Sequence, residues 1–353
     1  MYTFIFGLLM LLYIYSENGC EYEYSKVYMY LFVVFLAGFA GLRGNIGSDY
    51  INYMIIFDTA RNFSDYKFIG VEPLSAAIPV AYKKLGWFSY TIVFLTFAVI
   101  GVLLKAKFIF KYSPQVLLSF LFYYSNSFFV HDCTQIRASV AAAIFLGIGL
   151  DYIFKRQLLR FVICIIISGL FHYSAFLFLP IYFMNKEKIN KRLYLSLLII
   201  VYICAVSGIN KLLLNLPIFS LISNLNRYII ASQMGQNSPI NLLSPFYTLN
   251  VIACIFYILW SDRIRQYNNS AILLIKIQYM GLILLYVVSA LNGDVSRRCF
   301  ELYSIVSIVT FTYFSYFIRP YIYARVISIF IAFIQFYMIF GMNQILQPYK
   351  MSF

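Results

Sequence analysis

Residues 131–192 read HDCTQIRASVAAAIFLGIGLDYIFKRQLLRFVICIIISGLFHYSAFLFLPIYFMNKEKINKR. Basic clusters at Lys155 to Arg160 and at Lys186 to Arg192 flank the second apolar run on both sides. Loops rich in Lys and Arg stay on the cytoplasmic face of a membrane. Both ends of that run are therefore expected on the same face. The run, 158–184, reads as two short helices that fold back on each other, with His172 near the turn. The preceding helix, 134–154, then starts on the opposite face and carries Gln135 and Arg137 at its outer end.

The rest of the chain extends this pattern. Of 353 residues, 62% are hydrophobic and 11% charged, with mean hydropathy +0.81. Soluble domains carry about 45–50% apolar and about 25% charged residues. The composition predicts an all-α, polytopic helical membrane protein, one transmembrane domain over 1–353. Apolar runs of about 17–25 residues mark membrane-crossing helices. About ten such spans are expected, near 2–15, 27–42, 87–104, 113–130, 134–154, 193–209, 244–260, 271–291, 303–318 and 326–342. Two short elements, 72–86 and 158–184, read as re-entrant hairpins or half-helices. The first holds Pro73 and Pro79 and is too short between its charges to cross a core of about 30 Å. The start, MYTFIFGLLMLLYIY, lacks a basic leader and a small-residue cleavage site, and reads as a retained first helix.

The formal charge of +14 is scattered between apolar runs, with no basic face on a soluble module. This excludes nucleic-acid binding and leaves membrane lipids as the natural partner of the inner clusters. No phosphate-binding loop or dinucleotide fingerprint occurs. No C-x-x-C occurs, and two histidines far apart in sequence give no metal site. Neither metal nor cofactor is expected. Six cysteines include Cys133 and Cys299, both expected on the outer face, where a disulfide is conceivable.

The topology assigns Lys105, Lys107 and Lys111 to an inner loop and leaves Arg43, Arg61, Arg137, Arg227, Arg297 and Arg298 outside. Basic residues on the outer face run against the positive-inside trend. Anion binding is the simplest reason for them. Two outer segments, 43–72 and 210–243, stand out. In the first, Tyr50, Tyr53, Met54 and Phe57 recur at the spacing of one helix face, with Ser48 or Asp49 as its cap. In the second, an amphipathic surface helix beginning near Pro217 could form a lid.

Four motifs carry candidate chemistry. RGNIGSDY (43–50) follows a span, and its glycines let backbone approach a ligand. Arg43 offers a planar fork suited to phosphate oxygens; the plainer alternative is a capped turn with a snorkelling arginine. Gln135 and Arg137 sit at a helix N-terminus, which favours anions, or Arg137 marks an interface boundary. His172 lies inside an apolar run, where ionisable groups face interior cavities, or is a hydrogen-bonded packing residue. Arg298 and Glu301, three apart, share a helix face and form either a site or an intrahelical ion pair.

In order along the chain, R-x-N-x-G-x-D-Y from Arg43, Q-x-R-x-x-x-A from Gln135, F-H-x-S-A from Phe171 and R-x-x-E-x-Y from Arg298 resemble the EpsG-like family, related to the O-antigen polymerases called Wzy. The likeness spans about 27–320. It implies a GT-C-like, metal-independent glycosyltransferase in the bacterial inner membrane with its site facing the periplasm. Such an enzyme moves a glycan from undecaprenyl pyrophosphate to the non-reducing end of another lipid-linked repeat unit, and a chain-length regulator is a possible partner. For that chemistry Arg43, Arg137 and Arg298 would stabilise the leaving pyrophosphate, with Gln135 as a positioning donor. His172, Asp49 and Glu301 are the candidate bases, in that order. An O-antigen ligase would share the arginines. A flippase for the same lipid would need internal repeats, and none is evident.

Overall fold

The computed structural model describes residues 1–16, 24–47, 49–215, 240–290, 292–318, 320–342 and 347–351. Every element named over these residues is helical. Four helices are long and apolar enough to cross a membrane: Tyr90–Tyr112, Ile136–Phe154, Ala271–Val288 and Ile322–Gly341. A fifth candidate is the pair Pro245–Leu259 and Ser261–Tyr267, bent by 82°. The remaining expected spans are present as shorter or broken apolar helices, so the helices that pass do not reach ten.

The chain groups into two compact units. The first comprises Met1–Phe183 with Phe311–Phe353. Its elements are α1 (Tyr2–Ser16), α2 (Tyr24–Gly41), α3 (Tyr50–Thr59), α4 (Pro73–Lys84) and α5 (Tyr90–Tyr112). Next come α6 (Val116–Phe122, continued by a wide π-helical stretch Tyr123–Asp132), α7 (Ile136–Phe154) and α8 (Leu158–Phe171). Helix α5 packs along both α2 and α7. At 23 residues it is about 34 Å long at 1.5 Å per residue. Aromatic rings join the outer helices: Tyr2 of α1 meets Phe39 at 5.8 Å and Phe129 at 5.5 Å between centroids. Phe6 stacks at 4.6 Å on Phe336 of the last helix.

The two short elements form short helices, as expected of half-helices. Residues 72–86 give the single 12-residue helix α4, with Pro73 at its start, where a missing N–H costs nothing. After α8, His172 takes an extended backbone (φ −158°) and a 3₁₀ segment Tyr173–Phe183 packs against α8. Phe145 of α7 stacks on Phe178 of that segment at 3.9 Å. The stripe of Tyr50, Tyr53, Met54 and Phe57 lies on α3, as its spacing requires.

The second unit, Met184–Thr310, contains α9 (Lys191–Val206), α10 (Pro245–Leu259), α11 (Ser261–Tyr267), α12 (Ala271–Val288) and α13 (Gly293–Ser304). At one end the predicted basic loops meet. Lys191 pairs with Asp262 at 2.6 Å, and the Arg265 guanidinium donates to the Glu187 carbonyl at 2.8 Å. Inside, Gln278 donates to Asn250 at 2.9 Å and accepts from Thr310 at 2.5 Å. The expected span 303–318 is not one helix. It breaks into α13's end, one turn at Ser307–Thr310 and a 3₁₀ stretch Phe311–Tyr316. Hydroxyls explain this locally: Ser304 donates to the Glu301 carbonyl and Ser315 to the Thr312 carbonyl, in competition with the helix ladder. The first unit then resumes and closes with α14 (Tyr321–Tyr337). Most of the expected lid 210–243, with its helix from Pro217 and Arg227, lies outside the described residues, as does Ser48.

Candidate functional site

Residues 133–135 form the turn between α6 and α7. Wide backbone bonds close it, from Cys133 N–H to Phe128 and from Gln135 N–H to Val130. Gln135 is the residue before α7 and is half-buried. Loop 43–47 lies directly on this turn. A Cβ at Gly47 would stand 2.6 Å from the Cys133 carbonyl oxygen and 3.3 Å from Thr134. Only glycine permits that approach.

Arg43 is 1% exposed. Its Nη1 donates to the Ala40 carbonyl, and its guanidinium lies 4.8 Å from the Phe94 ring centroid. Nε and Nη2 find no hydrogen-bond acceptor among the described residues. The C-terminal segment covers the loop as a short antiparallel strap. Gly44 N–H donates to Lys350 at 2.6 Å, Gln347 N–H to Ile46 at 3.1 Å, and Arg43 faces Met351. Tyr349 stacks on Phe39 at 4.2 Å. Asp49 stands at the N-cap position of α3, half-buried, with no capping hydrogen bond from its carboxylate; Ser48, the alternative cap, lies outside the described residues.

Arg137 reaches across to α4. Its Nη1 meets Glu72 Oε2 at 2.5 Å, and its guanidinium lies 5.7 Å from the Tyr53 ring centroid. Its Nε is buried with no hydrogen-bond partner among the described residues. Tyr53 stands within electrostatic reach of Arg137, Asp49 and Arg43 together. The other Glu72 oxygen, Oε1, accepts from Tyr173 N–H at 3.3 Å and lies 3.9 Å from His172 Nε2. His172 Nδ1 accepts from Ser174 N–H at 3.3 Å and is 2.7 Å from Ser174 Oγ. An amide N–H can only donate, so Nδ1 is the acceptor and the ring proton sits on Nε2, toward Glu72. The first unit thus brings Arg137 and His172 to one carboxylate, with Arg43 and Asp49 within electrostatic reach of Tyr53.

Glu72 was not legible as a site residue. Read along the sequence, Glu72-Pro73 only starts a short helix. The available signal was a carboxylate at the start of an apolar half-helix, since ionisable groups in such segments are costly and tend to be functional.

The same turn is gripped from behind by a second group of side chains. Lys105 Nζ lies 2.7 Å from both oxygens of Asp132 and donates to Ser139 at 2.6 Å. Tyr123 and Ser139 each donate to Asp132 at 2.7 Å. Lys105 is 0% exposed and Asp132 1%. Gly101 makes room, since a Cβ there would stand 2.8 Å from Asp132 Oδ1. This corrects the assignment of Lys105 to an inner loop. A hydropathy reading ends a span at its first lysine, but a lysine neutralised by a carboxylate of a neighbouring helix stays inside.

In the second unit, Glu301 pairs with Arg297 at 2.9 Å and not with Arg298, which is exposed. Spacing i,i+4 serves the longer reach here better than i,i+3. Glu301 raises the Arg297 guanidinium above its ordinary value against the opposing effect of burial. Cys133 and Cys299 are both free thiols. Among the described residues no three His, Cys, Asp or Glu side chains gather in metal-holding geometry.

Comparison with known protein families matches residues 26–351 to the EpsG family, nearly the whole chain. The chain belongs to the EpsG family. EpsG proteins are polymerase-like, of the Wzy type, which makes this a polysaccharide-polymerase-like membrane protein. Neither curated proteins nor solved structures give a match.

Proposed function

We propose that this EpsG-family chain is a polysaccharide polymerase. It transfers a growing glycan from undecaprenyl pyrophosphate to the non-reducing end of a lipid-linked repeat unit, at a site open to the periplasmic side of the inner membrane. The observation that carries the reading is the pair Arg43 and Arg137, both within electrostatic reach of Tyr53 and each with guanidinium N–H groups for which the described residues supply no acceptor. A buried donor without an acceptor is costly, and a diphosphate supplies several acceptor oxygens at once. As the glycosidic bond breaks, charge builds on the leaving diphosphate. Preorganised guanidinium groups stabilise it most where water is scarce. Gln135 stands two residues from Arg137 at the helix start and adds a neutral donor. Asp49 is a candidate acceptor of the sugar hydroxyl's proton in this unit, and His172 is one only after its ring proton leaves Nε2, since Nδ1 is held by Ser174. Arg298 and Glu301 remain candidates on the second unit, and a GT-C-like arrangement of about ten spans belongs to the same reading.

The test is incubation of the purified protein with an undecaprenyl-pyrophosphate repeat unit. A ladder of products with released carrier is the expected result. Loss of one such donor lowers the rate on the order of 10²–10³-fold, so Arg43→Ala and Arg137→Ala should leave single units while the protein remains inserted. Wild-type chain lengths in both variants would refute the diphosphate reading. Transfer of glycan to a lipid core acceptor without elongation would instead identify a ligase.

A further inference from the structure

We infer that Glu72 is an internal stand-in for the diphosphate, and that the donor lipid, by displacing it from Arg137, frees it as the base that takes the acceptor's proton. This rests on the polymerase reading above. In the structure Arg137 is occupied: Glu72 Oε2 lies 2.5 Å from Nη1. The Glu72 side chain is 7% exposed and that of Arg137 24%, so the arginine is the more accessible member of the pair. The two ends of the carboxylate are held unequally. Oε1 has a backbone N–H at 3.3 Å and a histidine Nε2 at 3.9 Å, whereas Oε2 has the guanidinium. Those two lighter contacts fix Glu72 in place when the guanidinium is taken away.

A diphosphate offers Arg137 more acceptor oxygens than a carboxylate, and more negative charge. One of its oxygens takes Nη1, and an oxygen of the second phosphate reaches Nε on the other edge of the guanidinium, where the described residues supply no acceptor. Oε2 is then released beside the reacting centre. The transfer balances as follows. The acceptor oxygen forms a bond to the anomeric carbon. The bond from that carbon to the diphosphate oxygen breaks, and its electron pair leaves with the diphosphate, held by Arg137 and Arg43. The acceptor's proton passes to Glu72 Oε2. When the carrier diphosphate departs, the proton leaves to water and Glu72 returns to Arg137. The base is thus exposed only while a donor is bound, and His172 becomes a positioning residue that orients Glu72 through Oε1.

The probe is inorganic pyrophosphate, titrated by calorimetry into the detergent-purified full chain, beside the elongation assay. Glu72→Gln removes the competing charge and keeps the side-chain shape. If Arg137 is free of Glu72 about one tenth of the time, pyrophosphate should bind that variant about tenfold more tightly than the wild type. Elongation should fall by about 10²-fold or more, the scale of a lost general base. Glu72→Asp, which keeps the charge, should bind pyrophosphate as weakly as the wild type and serves as the control for altered folding. Unchanged or weaker pyrophosphate binding by folded Glu72→Gln overturns the exchange, and wild-type elongation by it overturns the assignment of the base. Arg137→Ala separates the two levels. If it binds pyrophosphate as the wild type does, the diphosphate reading itself fails and takes the exchange with it. If it loses binding while Glu72→Gln gains none, only the exchange is lost.

Discussion

Replacing Lys105 by Met leaves Asp132 at 1% exposure without the cation that sits 2.7 Å from both its oxygens. Removing one partner of a buried ion pair costs about 3–5 kcal/mol, because the other charge stays behind uncompensated. Here Tyr123 and Ser139 still donate to Asp132, which places the expected loss near the lower end, about 3 kcal/mol. Asp132→Leu strands Lys105 with Ser139 alone and should cost at least as much. The double variant Lys105→Met/Asp132→Leu carries no buried charge. Its remaining debt is the Tyr123 hydroxyl without its acceptor, about 1–3 kcal/mol, since the Ser139 hydroxyl, which also loses Asp132, can turn to a carbonyl of its own helix. The two single losses should therefore exceed the double loss by about 3–5 kcal/mol, the signature of direct coupling. The assay is unfolding in mixed micelles titrated with sodium dodecyl sulfate and followed by circular dichroism, with a full double-mutant cycle. Single variants within about 1 kcal/mol of wild type, or a double loss equal to the sum of the singles, would show that the charges do not depend on each other. The account of how the turn before Arg137 is held would then be wrong.

Three further outcomes follow from contacts of the same kind. Gly47→Ala pushes a methyl to 2.6 Å from the Cys133 carbonyl oxygen; a loss of about 1–3 kcal/mol is expected in the same titration, as for overpacking of a rigid site. Deletion of residues 347–353 removes the backbone pairing to Gly44 and Ile46 and the Tyr349 ring over Phe39; amide exchange at 43–47 should speed up while that of α5 stays slow, and unchanged exchange at the loop would show that the strap bears no weight. Gln278→Leu leaves Asn250 and Thr310 each short of a partner in the second unit; about 1–3 kcal/mol of destabilisation is expected per stranded group, with little change in pyrophosphate binding.

What could be read from residues alone was what neighbours in sequence decide. The length and apolarity of Tyr90–Tyr112 and Ile136–Phe154, the break at His172 between two basic clusters, the α3 stripe and the short proline-started α4 all depend on groups a few residues apart. Hydropathy and backbone capping act over that range, so the sequence carries them. The partners of charges are another matter. With 27 basic and 13 acidic side chains, no local rule selects which meet. Glu72 reaches Arg137 and His172, Lys105 reaches Asp132, and the C-terminal strap reaches Arg43 only because helices distant in the chain are packed together. The same limit misplaced Lys105 in a loop and left Arg298 and Glu301 as either a site or an ion pair, where the fold pairs Glu301 with Arg297. Burial of a charge is a property of the packed unit, set by whether an opposite charge arrives from another helix. By itself the sequence therefore determined an all-helical membrane chain and the positions of its breaks. Tertiary packing alone decided which carboxylate stands against the arginine.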